Sequence, residues 1–301
     1  MTGSRVCFGY SIESSIDFQY LRTGQGDPLV VQAHDGTWDA ADGEIVMDWP
    51  SRENRPVSIR LHRAGDGYGL WISDAGWYSI MPKQAQLMVP PGGNLLRREE
   101  RLWGMPSILT FISRGDIPFH AAGVDIGGVA ILFGGPTRHG KTTLAAALWC
   151  DGLRVLSEDV SCVGENAHVV PGPTMIRMRH DVVGQLTASN LSALARDDDR
   201  THMVMTGTLA DDASPVPLGA FVLLAIGDEI RLERVDPLDA LPDLWVLTFH
   251  IPADEHEGWI FQRVAGLAAQ VPVYRLTRPL RMDALPATIE AMRSLSDELV
   301  A

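Results

Sequence analysis

The sequence predicts an α/β fold in three parts: a mainly β module over residues 1–97, a connecting helix over 98–117 and a phosphate-loop domain over 118–301. Three observations carry that prediction. Aromatic and branched runs separated by Gly and Asp turns fill the first hundred positions. An amphipathic run follows a Pro-Pro-Gly-Gly break. A buried-looking strand, a glycine-rich loop and an Ala-rich helix then succeed one another between Val129 and Leu148.

Taken in order, Val57-Ser58-Ile59-Arg60-Leu61 alternates apolar and polar, while Tyr68-Gly69-Leu70-Trp71-Ile72 and Trp77-Tyr78-Ser79-Ile80 are rich in strand formers. Trp71, Trp77 and Tyr78 suit either a ligand platform or an aromatic packing contact. From Arg98 to Arg114, Leu102, Met105, Leu109 and Ile112 recur at helical spacing. Val124-Asp125-Ile126 and Val129 to Phe133 flank Gly127-Gly128, a hairpin signal whose second strand delivers the chain into the loop. Leu153 to Leu156 forms the next strand, and Val160 to Val163 with His168 to Val170 reads as a second hairpin. Strands are expected at Leu218 to Ala225, Ile230 to Glu233 and Val271 to Leu276, and helices at Leu238 to Thr248, Glu255 to Ala269 and Ala284 to Leu299. The polar segment Ala195 to Ser214, with Asp197-Asp198-Asp199-Arg200 and Asp211-Asp212, reads as a mobile lid or surface loop.

Composition narrows the function. Hydrophobic residues are 46% of the 301 positions and charged residues 21%, a balance that suits a globular chain with a proper core. The 25 basic and 38 acidic residues give a formal charge of -13, which argues against a nucleic-acid or anionic-membrane surface. Met1 to Cys7 lacks a signal-peptide core, and the longest apolar stretch, near Val216 to Ile226, is too short to span a bilayer, so a cytoplasmic location is expected. Cys7, Cys150 and Cys162 have no C-x-x-C spacing and read as reduced thiols.

The chemistry concentrates at Gly135-Pro136-Thr137-Arg138-His139-Gly140-Lys141-Thr142, a complete G-x-x-x-x-G-K-[ST] loop followed by Thr143. Its glycines let the backbone aim amide N–H groups at phosphate oxygens, and the following helix adds its positive end. Lys141 reaches the outer phosphates of ATP and Thr142 ligates Mg²⁺. Glu158 and Asp159 close a strand about seventeen residues after Lys141, where a neighbouring strand brings carboxylates to the β- and γ-phosphates. One carboxylate can hold Mg²⁺ while the other takes a proton from an attacking hydroxyl. His120 lies just before the hairpin that leads into the loop.

The stretch from His120 to Asp159 resembles the nucleotide-binding core of HPr kinase/phosphorylase and its relatives. His-Ala-Ala-Gly-Val, Gly-Gly-Pro-Thr-Arg-His-Gly-Lys-Thr-Thr and Leu-Arg-Val-Leu-Ser-Glu-Asp-Val follow that pattern in order and spacing. The likeness is strongest to the shorter relatives associated with peptide natural products, including lasso-peptide tailoring kinases. The resemblance implies a phosphoenolpyruvate-carboxykinase-like P-loop core and transfer of the γ-phosphoryl group to a serine-type hydroxyl of a peptide or small metabolite. It implies Glu158 as base, Asp159 as its acidic, metal-holding neighbour, and His120 close to both. Relatives with this core often assemble, so the resemblance leaves a homo-oligomer as one open expectation. Arg177, Arg179 or Arg200 is expected to neutralise developing charge. Glu158 stands where the family usually has aspartate, and the Glu-, Arg- and Gly-rich signature tied to phosphorolysis has no good match around Ile176 to His180. A nucleotide-regulated binding protein with a degraded site, and a ligase or nucleotidyl transferase on the same scaffold, are the competing readings.

Overall fold

In the computed structural model of the protein, which describes residues 4–34, 43–52, 57–251 and 255–300, two large mixed sheets and one small antiparallel sheet organise the chain. Met1 to Gly3, the start of the segment read for a leader, lie outside the described residues.

The N-terminal sheet holds β1 (Ser4–Cys7), β2 (Tyr10–Glu13), β3 (Arg22–Gly24), β4 (Asp27–Ala33), β5 (Glu44–Trp49), β6 (Ile59–Ala64), β7 (Gly67–Ile72), β8 (Gly76–Met81) and β9 (Gln86–Val89). Its spatial order is β3-β1-β2-β4-β9-β8-β7-β6-β5. Strands β5 to β9 form an antiparallel meander, and β9 returns parallel to β4. Trp71 and Trp77 face each other across β7 and β8, but Tyr78 is fully buried and its hydroxyl donates to the Arg98 carbonyl at 3.0 Å. Tyr78 is therefore a packing residue between sheet and helix.

The single helix expected over Arg98–Arg114 is two helices, α1 (Leu95–Leu102) and α2 (Met105–Arg114). Asn94 starts the first by accepting the Arg97 amide at 3.1 Å. Gly104 leaves helical geometry at φ -95°, ψ -125°, and Pro106, which has no amide to donate, sits in the first turn of α2. The apolar spacing runs through the break, although α1 buries Glu99, Glu100 and Leu102 while α2 buries Ile108, Leu109, Phe111 and Ile112.

The second large sheet follows. Its elements are β10 (Ile117–Phe119), β11 (Ala121–Ile126), β12 (Val129–Gly134), α3 (Lys141–Cys150), β13 (Arg154–Ser157), β14 (Ser161–Val163) and β15 (His168–Val170). A side sheet interrupts the chain with β16 (Met175–Arg179), α4 (His180–Val183), β17 (Leu191–Arg196), β18 (Arg200–Met205) and α5 (Thr208–Asp211). The chain then rejoins the second large sheet through β19 (Val216–Ile226), β20 (Arg231–Val235), α6 (Pro237–Leu247), α7 (Glu257–Gln270), β21 (Val273–Arg278) and α8 (Leu285–Val300). The strand order is β10-β14-β15-β19-β12-β11-β13, with β21 parallel to β19.

Alternation along these strands decides the layers. Leu132, Leu156, Phe221 and Leu223 face a core made with α2, α6, α7 and the N-terminal sheet, whereas Ile131, Phe133, Val155 and Val222 face α3 and α8. The N-terminal sheet thus shares one core with the second sheet. Burying a large apolar side chain contributes about 2 kcal/mol. With Leu144, Leu148 and Trp149 almost fully buried, α3 is a fixed platform for the loop that precedes it.

The polar segment Ala195 to Ser214 is not a lid or loop. It contains β18 and α5, and β18 is the central strand of the β16-β18-β17 sheet, with Thr201 to Met205 buried. The acidic run that suggested a loop is the hairpin turn, where the Asp197 carboxylate accepts the amides of Asp199 and Arg200 at 3.2 and 2.8 Å.

Candidate phosphate-loop site

Strand β12 ends at Gly134 and α3 begins at Lys141, so residues 135–140 form the connection whose helix N-terminus presents unpaired amides. Gly140 takes φ +77°, and a Cβ there would meet Arg278 Nη2 at 2.6 Å, so both the turn and the neighbour require glycine. Arg138 also has positive φ, at +69°. Pro136, Thr137 and Arg138 are exposed, Gly135 and Thr143 are half-buried, and half-buried His139 turns its ring back toward the Thr137 carbonyl at 3.3 Å.

Lys141 is 9% exposed and its ammonium donates to the Gly135 carbonyl at 2.8 Å, lying across the loop. Burial lowers its pKa, while Asp159 and Glu158 favour the charge. Thr142, one residue on, donates its hydroxyl to Glu158. That contact joins the loop to the acid pair. It forms although β13, which ends beside the acids, is not the direct neighbour of β12; β11 lies between them.

The two acids differ. Glu158 is 5% exposed, and burial raises its pKa despite Arg177 and the Thr142 hydroxyl. Asp159 has 38% side-chain exposure; burial works to raise its pKa too, but Arg177, His120 and Lys141 together hold it below the ordinary value. His120 Nδ1 lies 3.5 Å from Asp159, its ring edge-on to Phe249, and burial lowers its pKa so that the imidazole favours the neutral form.

Of the three arginines singled out, Arg177 meets the acids. It donates to Asp159 at 3.0 Å and to Glu100 at 2.8 Å, and its Nε stands 3.7 Å from Glu158. Burial lowers its proton affinity, but the three carboxylates outweigh burial and hold its pKa well above the usual value. Arg179 is paired with Asp181 away from this cluster, and Arg200 reaches the Arg177 carbonyl at 3.5 Å.

Three further residues build the site without a local sequence signal. Buried Glu100, on α1, accepts from Arg177 and Arg97. Arg278, at the end of β21 and 2% exposed, donates to the carbonyls of His139 and Gly140 at 3.1 and 3.2 Å. Burial alone lowers its pKa, with no carboxylate offsetting it. Arg22, from β3, is fully buried and donates to the carbonyls of Val155 and Leu156 at 2.9 and 3.1 Å, as well as to Gly172, Ala210 and Asp212. Burial and Arg154 lower its pKa to about 10. It ties the N-terminal sheet to the strand that carries the acids.

No three His, Cys, Asp or Glu side chains gather as a ready-made metal cage among the described residues. The hard oxygens of Thr142, Glu158 and Asp159 fit a Mg²⁺ that relies on phosphates for its remaining ligands. Cys7, Cys150 and Cys162 are free thiols. Among the described residues no helix is long and apolar enough to cross a membrane.

Fold and site together define a mixed α/β protein with a phosphate loop bonded to an acid pair. No family model matches the chain, and no curated protein matches it. Among solved structures, the Hpr(Ser) kinase/phosphatase from Coxiella burnetii is similar at 13% identity and a TM-score of 0.32, over 61% of this chain and 99% of that one. A likeness at that level carries no argument about activity.

Proposed function

We propose that this protein is an ATP-dependent phosphotransferase with an HPr-kinase-type P-loop core, moving the γ-phosphoryl group of ATP to a hydroxyl. The observation that carries the reading is the Thr142 to Glu158 hydrogen bond, which joins the phosphate loop to a proton acceptor. The acceptor oxygen bonds to the γ-phosphorus as the bond to the β,γ-bridging oxygen breaks. That electron pair leaves with ADP, and the hydroxyl proton passes to Glu158. A raised proton affinity suits Glu158 for this near neutral pH. Lys141 and the first amides of α3 hold the phosphates, and His120 steadies Asp159. Thr142 and Asp159 would hold Mg²⁺, which supplies charge neutralisation across the phosphates. The acceptor is a serine-type hydroxyl, on a natural-product precursor peptide as the resemblance implies, or on a small metabolite.

One observation favours a second division of roles: Asp159, not Glu158, is the more exposed acid and the one beside His120. Then Asp159 takes the proton, and Glu158 with Thr142 holds Mg²⁺.

Mass spectrometry of peptides and small metabolites incubated with the protein and Mg-ATP tests the reaction, looking for one added phosphate. Lys141→Ala and Glu158→Gln each cut product formation at least about a hundredfold, the second with ATP binding intact. Undiminished turnover in either variant refutes the assignment, and AMP instead of ADP would move the protein to the ligase reading. Asp159→Asn against Glu158→Gln separates the two divisions of roles, since the metal-holding residue, when changed, raises the Mg²⁺ concentration needed.

A further inference from the structure

The N-terminal sheet has no place in the transfer step as described, yet it borders the acids. A cleft of about 140 Å³ lies where the two large sheets meet, lined by Glu158, Asp159 and Arg177 from the phosphate-loop side. The rest of its wall is mostly apolar: Ile59 and Ile72 from β6 and β7, Trp103 from the break between α1 and α2, and Met105 from the start of α2. Reactive groups and an apolar wall supplied by separate parts of the chain are the usual makings of a small-molecule site.

We infer that this cleft, rather than the phosphate loop, selects the acceptor, and that it takes a compact, uncharged hydroxyl-bearing group with an apolar body. The inference rests on the phosphotransferase reading. Size is the first argument. An apolar cavity of about 150 Å³ holds one benzene molecule, so this cleft accepts a ring or branched aliphatic group and excludes a nucleoside or a folded surface. Charge is the second argument. Glu100, Glu158 and Asp159 line the cleft against only Arg101 and Arg177, so an anionic group meets a net negative wall. Arg177 is already engaged by Glu100 and Asp159 and offers little to a further anion. Geometry is the third argument. A hydroxyl carried on such a body enters beside the residues proposed to take its proton, and the apolar wall shields it from competing water.

The N-terminal sheet thereby acquires a role: Ile59 and Ile72 shape what reaches the acids. At the β3 end of the same sheet, Arg22 donates to the Val155 and Leu156 carbonyls and Glu99 accepts the Gln19 and Tyr20 amides at 2.7 and 2.8 Å, which ties that end to the strand before the acids and to α1.

The probe is 4-fluorobenzyl alcohol, titrated into the full chain with Mg-ADP and followed by fluorine NMR. Saturable broadening is expected, at least tenfold weaker in Met105→Trp, which fills the cleft from a half-buried position, and in Ile59→Phe, a milder change on a strand. 4-Fluorobenzoate, the same body carrying a carboxylate, binds at least tenfold more weakly. Binding that ignores both filling variants, absence of binding, or a preference for the benzoate overturns the inference. With Mg-ATP the same mixture is read for the phosphate ester. Cleft-dependent binding without ester supports the cleft and refutes phosphoryl transfer to such alcohols. Ester formation that ignores the filling variants supports transfer and overturns the cleft.

Discussion

Arg177 and Arg278 are both largely buried guanidinium groups at the phosphate-loop site, and their charges are balanced by different partners. Arg177 is surrounded by Glu100, Glu158 and Asp159 and is held cationic. Among the described residues Arg278 donates to backbone carbonyls of the loop and to no carboxylate, and burial lowers its pKa. Its Nε has no hydrogen-bond partner among the described residues. The acid side of the site thus pairs its cation with carboxylates of its own, whereas the loop side carries a cation that donates to backbone carbonyls and suits an anion resting on that loop. In the phosphotransferase reading proposed above, the first side serves stability and proton transfer and the second nucleotide binding.

Breaking the first side has the largest expected effect. Arg177→Met leaves three carboxylates facing one another, and removing one partner of a buried ionic cluster costs about 3 kcal/mol of folding stability. The low end of the usual range applies because the side chain remains 27% exposed. Urea unfolding of the unliganded protein measures it, and a loss under about 1 kcal/mol would show that solvent, not Arg177, neutralises the acids.

Arg278→Met tests the other side. It removes a charge that has no carboxylate partner, so folding stability stays within about 1 kcal/mol of the parent protein. Nucleotide binding weakens by about 1.5 kcal/mol, roughly tenfold, for ATP and ADP alike. Calorimetric titration of both nucleotides reads this. Equal affinities in parent and variant, or a destabilisation as large as that of Arg177→Met, would erase the distinction between the two arginines.

That distinction explains how much was legible in the sequence. The loop and the acid pair are contiguous motifs, so Lys141, Thr142, Glu158 and Asp159 were visible with their strand and helix context. Arg177 could be narrowed only to a set of three, because its partners are set by β16 lying beside the acids. Glu100 and Arg278 left no local trace: their contacts span 77 and 139 residues of sequence. Charged residues at Glu99-Glu100 and a basic strand end at Arg278 look like solvated surface until the fold buries them. The same limit hid β18, where the acidic turn beside it dominated the composition although Thr201 to Met205 pack inward.

The smallest expected effect is the most specific, because it depends on the two acids shifting in opposite directions. The raised pKa of Glu158 means the folded state holds its proton longer than the unfolded chain does. Its contribution to stability is therefore full in acid and is lost as pH rises through the raised value. Asp159 acts in reverse: its contribution is present above the unfolded value and is lost as pH falls through the lowered one. Glu158→Gln removes the first effect. The unliganded variant should melt a few degrees above the parent at pH 7, the gap closing as the pH falls below the point where Glu158 is protonated in both. Thermal unfolding between pH 7 and pH 4 follows the difference. A gap that persists unchanged into acid would mean that the burial of Glu158 does not resist its ionisation, and with it would go the physical reason for choosing Glu158 over Asp159 as the proton acceptor.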